Sequence, residues 1–175
     1  MSHHSDTVLE ALIARGVEVP RPESVEIAPD VDPERISGEG VVLHAGTRLR
    51  GAETLVLPGA EIGREAPTSI TDCQVGRDVR LAGGEFHRSP FLTGSGMGTG
   101  AQVRDGCLLE EGARGAHSVG IKQTILFPWV TLGSLINFCD CLMAGGTSRT
   151  DHAEVGSGYI HFNFTPWGER GDKAT

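Results

Sequence analysis

From Ile27 onward, apolar residues recur about every six positions, with a glycine or small residue beside them or shortly after. Ile36-Ser-Gly-Glu-Gly, Val42-Leu-His-Ala-Gly, Leu55-Val-Leu-Pro-Gly and Ile62-Gly-Arg-Glu show the pattern early. Val75-Gly-Arg-Asp-Val, Val103-Arg-Asp-Gly-Cys-Leu, Leu109-Glu-Glu-Gly-Ala and Val155-Gly-Ser-Gly-Tyr continue it. This period matches neither a helix nor a lone strand. It is the mark of a hexapeptide-repeat parallel β-helix, in which each unit is one short strand and one turn, and three units close a triangular coil. The aliphatic side chain points into the prism, and the small residue fits at the turn. One coil buries little by itself, so stability comes from stacking on neighbours. A glycine-rich β-sandwich with irregular strands is the competing reading, and the phase kept from 36 to 42, 75 to 81 and 103 to 109 favours the β-helix. Between Glu85 and Gly100 the phase slips, and the stretch reads as a loop leaving the prism.

Ahead of the repeat, Asp6 to Arg15 reads as one short helix. Asp6 caps it, Val8, Leu9, Leu12 and Ile13 share a face, and Gly16 ends it. Two prolines in Val17-Glu-Val-Pro-Arg-Pro then enforce an extended connector. The sequence therefore divides into a helix with its connector, 1–26, and a β-helix domain, 27–175.

Composition sharpens this picture. Glycine accounts for 25 of 175 residues and aromatics for nine, which suits stacked short strands better than packed helices. A formal charge of -8 argues against sequence-independent nucleic-acid binding and against an anionic membrane surface. No apolar run is long enough to span a bilayer, and Met1 to Asp6 lacks a signal-peptide pattern, so the expected location is the cytoplasm. Cys73, Cys107, Cys139 and Cys141 form no CxxC pair and no zinc spacing, which leaves the expectation of no metal site. They read as small buried residues, with Cys139 and Cys141 alternating on one strand face.

Two stretches resemble the bifunctional N-acetylglucosamine-1-phosphate uridyltransferase / glucosamine-1-phosphate acetyltransferase family. Gly16-Val-Glu-Val-Pro-Arg-Pro-Glu-Ser resembles the connector by which that family enters its β-helix. Val155-Gly-Ser-Gly-Tyr-Ile-His-Phe-Asn-Phe, followed by Asp172-Lys-Ala-Thr, resembles its I-G-x-G-x-I-x-x-N-Y segment and the lysine-bearing loop beyond. Val119-Gly-Ile-Lys-Gln falls where the family carries an active-site lysine. The resemblance implies a left-handed coil, a homotrimer with sites between subunits, and acetyl transfer from acetyl-CoA to an amino-sugar 1-phosphate. It implies that Lys122 holds the sugar phosphate, that Asn163 contacts substrate or cofactor, that Phe164 packs where the family has a hydroxylated ring, and that Lys173 serves the cofactor. The nucleotidyltransferase domain of the family is absent from this sequence. In Ser134-Leu-Ile-Asn-Phe-Cys-Asp, Leu135 stands at the family's catalytic histidine and Phe138 at its tyrosine.

No residue takes the base role by alignment, which leaves His117, His152 and His161 as candidates. His161 alternates with Ile160 and Phe162, and Asp151 beside His152 suggests a carboxylate-oriented imidazole. Asn137 stands at an inward-looking phase among Ile136, Phe138 and Leu142, where it either caps a turn inside the prism or faces a ligand groove. Ile125-Leu-Phe-Pro-Trp-Val is too apolar for a solvated face and either fills the prism or makes a subunit contact, which Trp129 beside Pro128 favours. Two functions follow: a coenzyme-A-dependent acyltransferase, or a non-catalytic β-helix serving trimerisation or effector binding in a nucleotidyltransferase system. The sequence near Thr175 shows no closing helix or capping repeat, so the chain is expected to continue with further hexapeptides.

Overall fold

A computed structural model describes residues 3–158 of the chain. Three parallel sheets of seven, six and seven short strands wrap one core, each sheet taking one strand from successive coils. The parallel β-helix expected from the six-residue phase, preceded by one helix, is the fold observed. Face one runs from Glu26–Ile27 through Thr47–Arg50, Thr68–Thr71, Gly84–His87, Ala101–Val103 and Gly120–Lys122 to Asn137–Cys139. Face two runs from Leu55–Val56 to Leu142–Met143, and face three from Val42–Leu43 to Ala153–Val155.

The sequence builds this prism because one side chain per six-residue unit faces inward and stacks on its counterpart a coil away. Leu49, Ile70, Phe86, Val103 and Ile121 form the inner column of face one, with Leu49 paired to Ile70 and Val103 to Ile121 in register. Val56, Val75, Phe91, Leu109 and Leu126 do the same on face two. Each such side chain contributes roughly 1.5–3 kcal/mol by leaving water. Corners turn on one left-handed residue. At the corner from face two to face three this position is Gly59, Asp78, Gly94, Gly112 and Trp129 in successive coils, with φ between 55° and 75°. Glycine and aspartate tolerate that backbone, whereas Trp129 is strained there. Its ring lies over Gly112, where an added Cβ would sit 2.6 Å from the indole, so the glycine below makes room for the tryptophan above.

The helix spans His3–Ala14 and buries Leu9 and Leu12 against the first coil, while Ile13 stays 40% exposed. Gly16, at φ 104°, ends it as expected. By covering the first coil, the helix keeps open strand edges from water and from other chains.

Three expectations are corrected. The stretch from Glu85 to Gly100 does not leave the prism. Gly84–His87, Pro90–Phe91 and Gly96–Met97 all pair in the sheets, and the phase slips because this coil is shortened to 16 residues, from Ile70 to Phe86. Phe86 and Phe91, the largest fully buried side chains, meet edge to face inside it at 5.6 Å. The true excursion lies between Met143 and Val155. Its loop folds back so that Gly146 N–H donates to Pro128 O at 2.8 Å, while the Arg149 guanidinium stacks 5.0 Å from the Trp129 ring centre and donates to Gly112 O. Nor are all four cysteines buried: Cys73 and Cys107 are, but Cys139 is exposed and Cys141 half-buried. Asp140, at φ 54°, turns a corner between the last two and ends their strand alternation.

Candidate functional site: a charged cleft on face one

The outward side chains of face one form two columns, one rung per coil, with rungs about 4.8 Å apart. One column carries Glu85 and Gln102 in register and continues to Gly120 and Asn137. The other carries His87, Arg104, Lys122 and Cys139, with Lys122 registered on Cys139. Phe86, Val103 and Ile121 alternate inward between the columns, so core packing fixes the rungs and period two aims these polar side chains outward. Glu85, His87, Arg88, Gln102, Arg104, Asp105 and Lys122 line one open cleft of about 360 Å³. A second cleft of about 290 Å³ adjoins it round the corner and shares Arg88.

Charge is unevenly paired in this cleft. Arg88 donates to Asp105 across the corner; this bond holds the Asp105 carboxyl below the usual carboxylate range and raises Arg88 in turn. Among the described residues, no ion pair engages Glu85, Arg104 or Lys122. Two neighbouring cations with no ion-pair partner among the described residues, in a chain of net charge -8, are the group arrangement that suits a phosphate or carboxylate ligand.

Of the residues proposed from sequence, Lys122 lies in this cleft and Asn137 beside it. The inward placement of Asn137 is corrected: it is exposed on the outer face, and Phe138 turns inward instead. The corner at Leu135 resets the alternation, so Asn137 falls on an outward rung. Its Oδ1 would lie 2.4 Å from a Cβ built on Gly120, so the amide lies across the bare glycine one coil away, next to Lys122. His152 is not brought to the cleft. It sits in the final loop, with Nε2 3.1 Å from Glu154 and Nδ1 3.0 Å from Arg149 O, so Glu154 and not Asp151 orients it. Asp151 instead accepts from Thr147 Oγ1 at 2.5 Å. His161, Asn163, Phe164 and Lys173 lie outside the described residues. Leu135 is 44% exposed at a left-handed corner, φ 63°, and beside it Ser134 Oγ meets His117 Nδ1 at 2.7 Å. Arg104, His87 and Glu85 were missed in the sequence. The signal was the 18-residue step from Arg104 to Lys122, one full coil, which becomes visible once coil length is known.

The fold is thus a three-sided parallel β-helix that carries a cation ladder on the outside of one face. The chain is 28% identical over 156 residues to the bifunctional protein GlmU of Thermotoga petrophila and 27% identical over 152 residues to that of Thermus thermophilus. These alignments cover 89% and 87% of this chain but 32% and 31% of the relatives, so the chain spans about a third of their length. No protein-family profile matches the chain.

Proposed function

We propose that this chain is an acyltransferase-type β-helix domain that binds an amino-sugar 1-phosphate on face one and receives an acetyl group for it from acetyl-CoA. The observation that carries the reading is the pairing of Arg104 and Lys122 on adjacent rungs of one cleft, both without a described carboxylate partner. These side chains supply the charge-assisted bonds that a phosphate monoester requires. Likeness to GlmU over nearly the whole chain supports the substrate class and the acyl donor. Acetyl-CoA is a substrate here, and its reactive thioester supplies the acyl group; Arg104 and Lys122 hold the acceptor sugar, Asn137 borders it, and Arg88 closes the corner side. Lys173 remains the proposed contact for the donor.

The outer surface of face two supports a homotrimer. Leu108, Ile125 and Leu142 stack on consecutive rungs, Leu92 and Phe127 flank Glu110 in the next column, and Leu142 is 65% exposed. An apolar sheet face of this length suits burial against other copies of the chain. Leu135 at the family's histidine position favours a second reading, in which the domain binds a sugar phosphate and trimerises without catalysis. A free-thiol assay with acetyl-CoA and glucosamine 1-phosphate, run on the wild type and on Lys122→Ala, tests both. Thiol release that depends on the sugar and on Lys122 establishes transfer, whereas Lys122-dependent binding without release establishes the non-catalytic reading.

A further inference from the structure

The cleft is polar in the electrical sense along the axis of the β-helix. Its unpaired cations, Arg104 and Lys122, occupy two consecutive rungs, and its unpaired anion, Glu85, occupies the rung before them beside His87. Gln102, registered directly on Glu85, carries an uncharged amide between the two ends. Arg88 and Asp105 satisfy each other and add no net charge. A ligand bridging the two columns thus meets positive charge on one side and negative charge on the diagonal, one rung along the axis and two residues along the strand, about 8 Å between backbones.

Resting on the sugar-phosphate reading above, we infer that Glu85 is the specificity-determining residue of the cleft, holding the ammonium of an amino sugar whose phosphate lies on Arg104 and Lys122. An amino-sugar 1-phosphate carries its phosphate and its ammonium on adjacent carbons, so the ligand requires the long Arg104 and Lys122 side chains to extend across the diagonal toward Glu85, within the one cleft that all three line. Glu85 accepts from the ammonium, Gln102 meets a ring hydroxyl, and His87 borders the nitrogen. A neutral sugar phosphate makes the same phosphate bonds but leaves the carboxylate without its cation. An N-acetylated sugar loses the charge as well and must fit its acyl group against Glu85. The cleft thereby favours the amine over the hydroxyl or the amide.

Calorimetry on the full chain tests this with glucosamine 1-phosphate, glucose 1-phosphate and inorganic phosphate. The wild type is expected to prefer the amino sugar over glucose 1-phosphate by roughly tenfold, the value of a hydrogen bond between charged groups. The preference fades as pH rises through the ionisation of the amine. Glu85→Gln removes the preference and its pH dependence while keeping the affinity for glucose 1-phosphate within about twofold. Lys122→Ala weakens both sugars alike. If the wild type binds both sugars equally, or Glu85→Gln keeps the preference, the role of Glu85 is overturned and the phosphate reading stands. If neither sugar phosphate binds, or Lys122→Ala changes nothing, the sugar-phosphate reading fails and this inference falls with it.

Discussion

Replacing Lys122 with alanine removes a charge-assisted bond to phosphate, and binding of glucosamine 1-phosphate is expected to weaken by on the order of 1.5–3 kcal/mol, read by calorimetry. The fold is spared, because Lys122 is exposed and the inward neighbour Ile121 carries the packing. Leu135 carries the opposite balance. Its side chain is 44% exposed and its φ is 63°, so it has backbone strain with little burial in return. Leu135→Asn, which tolerates the left-handed region, is expected to raise stability by about 0.5–1 kcal/mol in denaturant titration. A loss of stability would show that the leucine packs more than its exposure implies. Cysteine reactivity divides the same way. Burial pushes the Cys73 thiol from 9.0 up to about 12, and Cys107 also rises, while Cys139 is exposed. The folded state thus holds the Cys73 proton more tightly than the unfolded chain does. The resulting stability is intact below pH 9 and is lost between pH 9 and about 12, at about 1.4 kcal/mol per unit. Unfolding midpoints at pH 8 and 10.5 should therefore fall, and Cys73→Ala should reduce the fall. In the native protein at pH 8, a thiol reagent should reach Cys139 before Cys73 or Cys107.

At the scale of the coil, packing tolerates changes in length if volume is conserved. The coil from Ile70 to Phe86 is short, yet its core is filled by Phe86 against Phe91. Phe86→Ala opens a cavity that the stacked rungs on either side cannot collapse into. The expected loss is about 3–5 kcal/mol by chemical denaturation, with Phe86→Leu costing less. The final coil obeys another constraint. Its loop is held to the corner by Arg149 over Trp129 and by the Gly146 to Pro128 hydrogen bond, so the insertion covers an otherwise bare turn. Trp129 belongs to this clasp, which makes it a poor probe of subunit contact.

For the whole molecule, the apolar outer surface of face two is the contact proposed for the homotrimer. Leu108 and Ile125 point outward on neighbouring rungs, while Leu109 and Leu126 beside them fill the prism. Leu108→Glu combined with Ile125→Glu places charges on the proposed contact and leaves the core untouched. Sedimentation at micromolar concentration should then show a shift from trimer to monomer, because a charge desolvated without a partner is costly. A wild type that sediments as a monomer would remove the trimer from the proposal. The apolar segment Ile125 to Val130 thus divides its labour: Leu126 and Val130 enter the core, and Ile125 and Phe127 stay half-exposed on the surface.

The six-residue spacing of Val75 to Leu81 and of Val103 to Leu109 was enough to specify a parallel β-helix, although after Ile36 it is Leu43 that enters the core and Val42 that stays half-exposed. The helix ending at Gly16 was legible for the same reason, because local periodicity and a left-handed stop are written in neighbouring residues. The charge ladder was not. Glu85, Arg104 and Lys122 are separated by about one coil each, and only the register of stacked strands turns that separation into adjacency. A single corner decides the rest: with Leu135 turning the chain, Asn137 falls outside the prism instead of within it. Local pattern determines which residues go inside a coil, whereas coil length and corner position, which depend on packing against the neighbouring coils, determine which outward residues meet.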